Sequence, residues 1–338
     1  MKAKRIIQVG LVLAVAVSAI ALWHRHRSSV GQTAVEPAPA KAAPLAQAGR
    51  NQANPAAVLP PAHISIETSP ASLAQTIANE GADYQQRADA IQALSGKLSD
   101  TDREILYAFL RQHLSGDQRQ NGEVLRNQLM DALTGMQPPL AGLRELLTEI
   151  YQDSGQDMVL RDYAVQHLAQ FYRQMAATPA SDASYQADEL KQAQAVLWEA
   201  VGDTDSSIAG TALLGLSHLS QEGWPGLDQN RIGQAALKLA GDGSVGELTK
   251  ITAVQVCASL NITDALAVVL GAAQQTASEP LAISAVGALG VLGGPGQVPF
   301  LNQLLEGKDE RLKPAAQQAL NNILRRQQQI VAVSKPKI

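Results

Sequence analysis

The chain reads as all-α: an α-solenoid of about seven antiparallel helix pairs behind an N-terminal membrane segment and a disordered linker. Three observations predict this. A core pattern of helical period recurs in register along the chain, with little alternation of period two. Apolar residues make up 46% of the 338 positions but aromatics only 4%, so the core must be Ala, Leu, Val and Ile. Small side chains let helices approach closely, which suits stacked helix pairs and poorly suits a sandwich or a dinucleotide fold.

The clearest copy of the pattern lies near the C-terminus. Leu281, Ala285, Ala288, Leu289 and Leu292 recur as Leu312, Ala316, Ala319, Leu320 and Ile323, each displaced by 31 residues. Between the copies stand Gly293-Gly294-Pro295-Gly296 and a second amphipathic run, Val298 to Leu305. Two helices in about 30 residues, repeated in register, mark a helical repeat array rather than a bundle. Projected backwards, the core triplet yields Ala253/Cys257/Leu260, Ala212/Leu216/Leu219, Ala164/Leu168/Phe171, Leu129/Leu133/Met136 and, more loosely, Ala90/Leu94. Every set occupies i, i+4 and i+7 or part of that spacing, one face of a helix. The steps toward the C-terminus are 39, 35, 48, 41, 32 and 31 residues.

The pattern resembles the HEAT family, especially its short bilin-lyase-like variety, whose second helix carries the A-x-x-A-L-x-x-L core seen at Ala285, Ala288, Leu289 and Leu292. The resemblance spans residues 83–326 and implies a superhelix used mostly as a scaffold or adaptor. Arg161-Asp162 resembles the charged pairs that open second helices in that family and brace neighbouring units.

Taken in order, residues 1–27 form an export signal. Lys2, Lys4 and Arg5 precede eighteen uncharged, mostly apolar residues from Ile6 to Trp23, and His24-Arg25-His26-Arg27 follows. Val17-Ser18-Ala19 and Ala19-Ile20-Ala21 both offer cleavage spacing. The length of the run, the interfacial Trp23 and the arginines beyond it favour an uncleaved signal anchor, N-terminus inside. That places the body in the periplasm on the inner (cytoplasmic) membrane; cleavage would make it secreted. Residues 28–63, rich in Ala, Pro and Gln, are too poor in core-forming side chains to fold and should act as a tether. The solenoid is expected over 64–326 and a partly frayed C-terminal tail over 327–338. Ser69-Pro70 should open the first helix, and Thr101 to Glu104 reads as a capping box.

The long 48- and 41-residue steps contain Met175–Ser184 and Ser220–Asp228, loops expected on one edge of adjacent units. Insertions in repeats map to one face, often the binding face, although drift in surface loops has the same appearance. Trp224 either plugs the gap between units or anchors a partner. Candidate interaction residues are therefore Arg161, His167, His218 and Trp224, the two histidines each lying one residue before a core position.

Charge excludes one partner class. Residues 1–63 hold seven Lys and Arg against Glu36 alone, leaving 20 basic and 30 acidic residues in the remainder. A net-acidic body is a poor ligand for nucleic acid. Cys257, the single cysteine, permits no intrachain disulfide and no cysteine-based metal site, and it sits at a core position. No nucleophile elbow, P-loop or metal-binding histidine spacing is present. Asp203 and Asp205 read as N-caps rather than a catalytic pair. The expectation is a membrane-tethered scaffold that binds another protein, not an enzyme, without cofactor or metal, its membrane contact made by residues 6–23. A steric foldase for a secreted enzyme is the alternative, on layout alone, since the R-x-x-F-D-Y signature is absent.

Overall fold

The structure, a computed structural model, describes residues 70–114, 119–179, 182–204, 207–275 and 277–334. The expected signal segment and linker, and Ser69, lie outside the described residues. The described residues cluster as one compact unit. The chain is all-α: among the described residues there are fourteen α-helices, short 3-10 turns and no strand. No described helix is long and apolar enough to cross a membrane.

The first six helices are α1 (Pro70–Ala78), α2 (Tyr84–Gln92), α3 (Asp100–Arg111), α4 (Arg119–Thr134), α5 (Leu143–Gln152) and α6 (Met158–Ala177). Then come α7 (Ala183–Ala200), α8 (Ile208–Gln221), α9 (Gln229–Gly241) and α10 (Glu247–Ser259). The last four are α11 (Leu266–Gln274), α12 (Glu279–Leu292), α13 (Val298–Glu306) and α14 (Lys313–Ser334). Acidic and hydroxyl side chains start many of them. Asp83, Asp157, Asp182 and Asp228 each accept a hydrogen bond from a backbone N–H of the first turn, relieving donors that the helix itself cannot satisfy.

Even-numbered helices form a continuous layer. From α2 to α14 each packs against the next even helix, and α1, α5, α7, α9, α11 and α13 pack on the even helix that follows them. Small residues make that contact possible: Ala164, Ala212, Ala253, Ala285 and Ala316 are all 0% exposed. The triplets found in the sequence are thus the seam of the even layer, with Leu94, Leu260 and Leu320 only partly buried against it. Cys257 is fully buried there, and burial pushes its thiol up to about 12, so it stays protonated.

Three expectations are corrected. The cap of α3 is Ser99, which accepts from the Asp102 N–H, because the helix begins at Asp100, ahead of the expected box at Thr101. The expected tail after 326 is instead helix as far as Ser334. Finally, the 48-residue step is long mainly in helix: α6 and α7 have 20 and 18 residues, where α12 and α13 have 14 and 9.

Close approach can be tested within one helix. A Cβ on Gly290 would lie 2.7 Å from the Ala319 Cα, backbone of α14, whereas one on Gly287 would meet nothing within 4 Å. Gly290→Ala is expected to cost about 1–3 kcal/mol by overpacking. Gly287→Ala is expected to stabilise by about 0.5–1 kcal/mol through helix propensity. Urea unfolding of the two variants checks the difference in sign.

Candidate functional site: the α6–α9 face

The loop between α8 and α9 is held in place by three helices. Glu222, at the C-terminal end of α8, accepts two hydrogen bonds from Arg173 of α6, at 2.7 and 2.9 Å. The same carboxylate accepts the Trp224 indole N–H at 2.7 Å. Burial pushes the Glu222 carboxyl up, but the hydrogen bonds from Arg173 and Trp224 outweigh it and hold the group below its ordinary value. Further along, the Tyr172 hydroxyl donates to the Pro225 carbonyl and the Gln194 amide to the Gly226 carbonyl, both at 2.6 Å. Gly223 and Gly226 turn the chain with φ of 85° and 78°, values that disfavour side chains. Trp224 is partly buried against the core, so its ring fills space between units while its N–H braces the loop.

Of the four residues expected from the sequence, Trp224 and His218 meet here. His218 lies one turn before Glu222 on α8, where burial and then the Arg173 charge push its imidazole below its ordinary value. Arg161 lies at the start of α6, and its task is structural. Its Nε donates to the Tyr151 carbonyl at 2.7 Å, and Nη2 donates to Asp203 at 3.1 Å. Asp203 is therefore a brace partner rather than the expected helix cap; α8 starts later, at Ile208, and Asp205 is outside the described residues.

His167, a candidate interaction residue in the sequence, is not at the surface. It is 2% exposed, with Nε2 3.1 Å from Asn127 Oδ1 of α4 and Nδ1 without a partner. The helical positions explain the difference: His167 is three residues past its core alanine, Ala164, but His218 is six past Ala212. The two rings therefore point to different neighbours.

Sequence reasoning missed two relatives of Arg161. Arg87 on α2 and Arg126 on α4 also stand three residues before the first core residue of their sets, Ala90 and Leu129. Both reach back to a carbonyl at the end of the preceding helix, Arg87 to Ile77 and Arg126 to Gln112. The shared spacing was visible in the sequence; their burial was not. A third basic feature, Arg231 of α9, stacks 3.9 Å from the Trp198 ring of α7 and closes an open groove of about 380 Å³ with Lys191 and Gln194. Among the described residues no group of three or more His, Cys, Asp or Glu is placed to hold a metal ion.

No family model matches the chain, and no curated protein matches it. Among solved structures, an engineered protein is similar over 76% of this chain and 96% of its own, at 18% identity and a TM-score of 0.38. Human deoxyhypusine hydroxylase in complex with glycerol is similar over 75% of this chain and 95% of its own, at 17% identity and a TM-score of 0.34. The second, an enzyme by its name, stands against the expectation that the chain is not an enzyme. Likeness at this level carries no activity over to this chain.

Proposed function

We propose that the chain is a HEAT-like α-solenoid of seven helix pairs, anchored in the inner membrane by residues 6–23 and carried outside the cytoplasm on the 28–63 linker. Its role in this reading is that of a scaffold, binding another protein on the α6–α9 face. The observation that supports it best is the Glu222 loop. An insertion that had merely drifted has no need of an Arg173 fork, an indole N–H and two carbonyl locks. Preorganised loops lose less entropy on binding, so pinning of this kind favours recognition. The continuous even layer supports a rigid platform beneath it.

A photo-crosslinking residue placed at Pro225 or Asn230, both exposed, tests the reading in cells. A discrete protein adduct is expected at these positions, reduced at least about threefold when Glu222→Ala frees the loop. Gln318, exposed on α14, serves as the control. Adducts of equal yield at Gln318, or none at the loop, would overturn the assignment. Intact mass of the membrane-bound protein separately tests whether residues 1–27 are retained.

A further inference from the structure

Buried cations in proteins are almost always met by an acid, because desolvating a guanidinium without a counter-charge is costly. Arg87 and Arg126 break that rule. They are 8% and 1% exposed, and among the described residues neither hydrogen-bonds a carboxylate: each bonds a backbone carbonyl, while Glu80 acts on Arg87 and Glu123 on Arg126 through space. Arg87 Nη2 and Arg126 Nε are buried with no hydrogen-bond partner. Both guanidinium groups lie over the same ring, Phe109, with Cζ at 4.9 and 5.7 Å from its centroid. Two positive charges therefore flank one aromatic ring in the first two units. Burial pushes Arg126 down to about 10 against the pull of Glu123, with Arg87 lowering it less and Glu80 and Asp157 raising it least, which still leaves it charged at neutral pH.

Arg87 does not face a solid core. It lines a cleft of about 180 Å³, between the α1–α2 turn, the end of α3 and the start of α4, with Phe109, Leu114 and Leu125 as apolar walls and Tyr84 and Glu80 beside it. The other arginine of this kind, Arg161, has its acid in Asp203. Arg87 has no such hydrogen-bonded acid, and the cleft beside it leaves room for one.

We propose that this cleft binds a monocarboxylate with a short apolar body, its carboxylate taken by Arg87 under the added field of Arg126 and its body laid against Phe109, Leu114 and Leu125. The volume limits the body to a side chain of roughly leucine size. Glu80 at the lip disfavours a dianion such as phosphate more than a monoanion. The carboxylate belongs either to a free acid or to the C-terminal residue of a polypeptide. This site is remote in sequence from the Glu222 loop, and its test does not depend on that reading.

Calorimetric titration of the full-length chain in detergent provides the test. The probes are 4-methylpentanoate, its amide, inorganic phosphate, and a short peptide ending in leucine with a free carboxylate. The acid, the peptide or both are expected to bind about tenfold or more tighter than the amide, as loss of a charge-assisted hydrogen bond implies. Tighter binding of the peptide identifies a chain terminus as the source; tighter binding of the free acid identifies a small molecule. Arg87→Met should abolish binding, but it also removes the bond to the Ile77 carbonyl. Glu80→Gln guards against a folding defect: Glu80 is exposed, and its neutralisation should tighten the acid about two- to threefold. The proposal fails if neither carboxylate binds, if acid and amide bind alike, if phosphate competes equally, or if Glu80→Gln weakens binding.

Discussion

Replacement of Arg144 by methionine is expected to be among the most damaging single changes in the body, at about 3–5 kcal/mol. Arg144 of α5 donates through Nε to Glu189 Oε2 of α7 at 3.0 Å and through Nη2 to Oε1 at 3.3 Å, and the side chains are only 9% and 6% exposed. Removing the cation strands the buried Glu189 carboxylate without a partner of opposite charge, which is where the cost arises. The converse change is milder. In Glu189→Leu the guanidinium keeps Glu145, 2.5 Å from Nη2 and half exposed, so about 1–3 kcal/mol is expected. The double variant should recover most of the loss, because an apolar pair of similar volume often matches a buried ion pair. Equilibrium urea unfolding of the three variants measures all of this. Equal costs for the two single changes would show that the pair is not the buried, asymmetric unit described.

Acidification is expected to destabilise the body through His167 before carboxylates titrate. Burial, only partly offset by Asp131 and by the Gln170 side chain, pushes this imidazole from 6.5 down to about 4. Between these values the unfolded chain binds the proton that the folded chain refuses. Stability from this group is therefore complete above pH 6.5 and is lost as pH falls toward 4. Full loss corresponds to about 3 kcal/mol, of which about 2 kcal/mol should be gone by pH 5. His167→Gln should flatten the pH 7 to 5 segment of the stability profile while leaving titration at lower pH in place. A variant with the same slope as the parent would mean that the ring is not held neutral.

Residues read as surface punctuation proved to differ in kind. Asp203 looked like a cap because Asp205-Ser206-Ser207, two residues on, reads as a helix opening. Its carboxylate instead pairs with Arg161, 42 residues earlier. His167 and His218 looked equivalent when counted from the nearest core residue, but counted from the first alanine of each set they differ by three positions, nearly one turn. The seam of the even layer, by contrast, was legible almost entirely. Ala164, Ala212, Ala253, Ala285 and Ala316 are all fully buried, as their spacing predicts.

The all-α class, the register of the even helices and most of their core residues follow from the sequence alone, since a period of 3.6 needs only local information. Arg87, Arg126, Arg144 and Glu189 became interior residues only in the tertiary structure. Nothing local distinguishes a helical arginine facing water from one facing a neighbouring unit 45 residues away, as Arg144 faces Glu189. That choice is made by packing between units: which flank of each helix the next one covers, and whether the covered charge finds an acid there, as Arg144 does, or an open cleft, as Arg87 does.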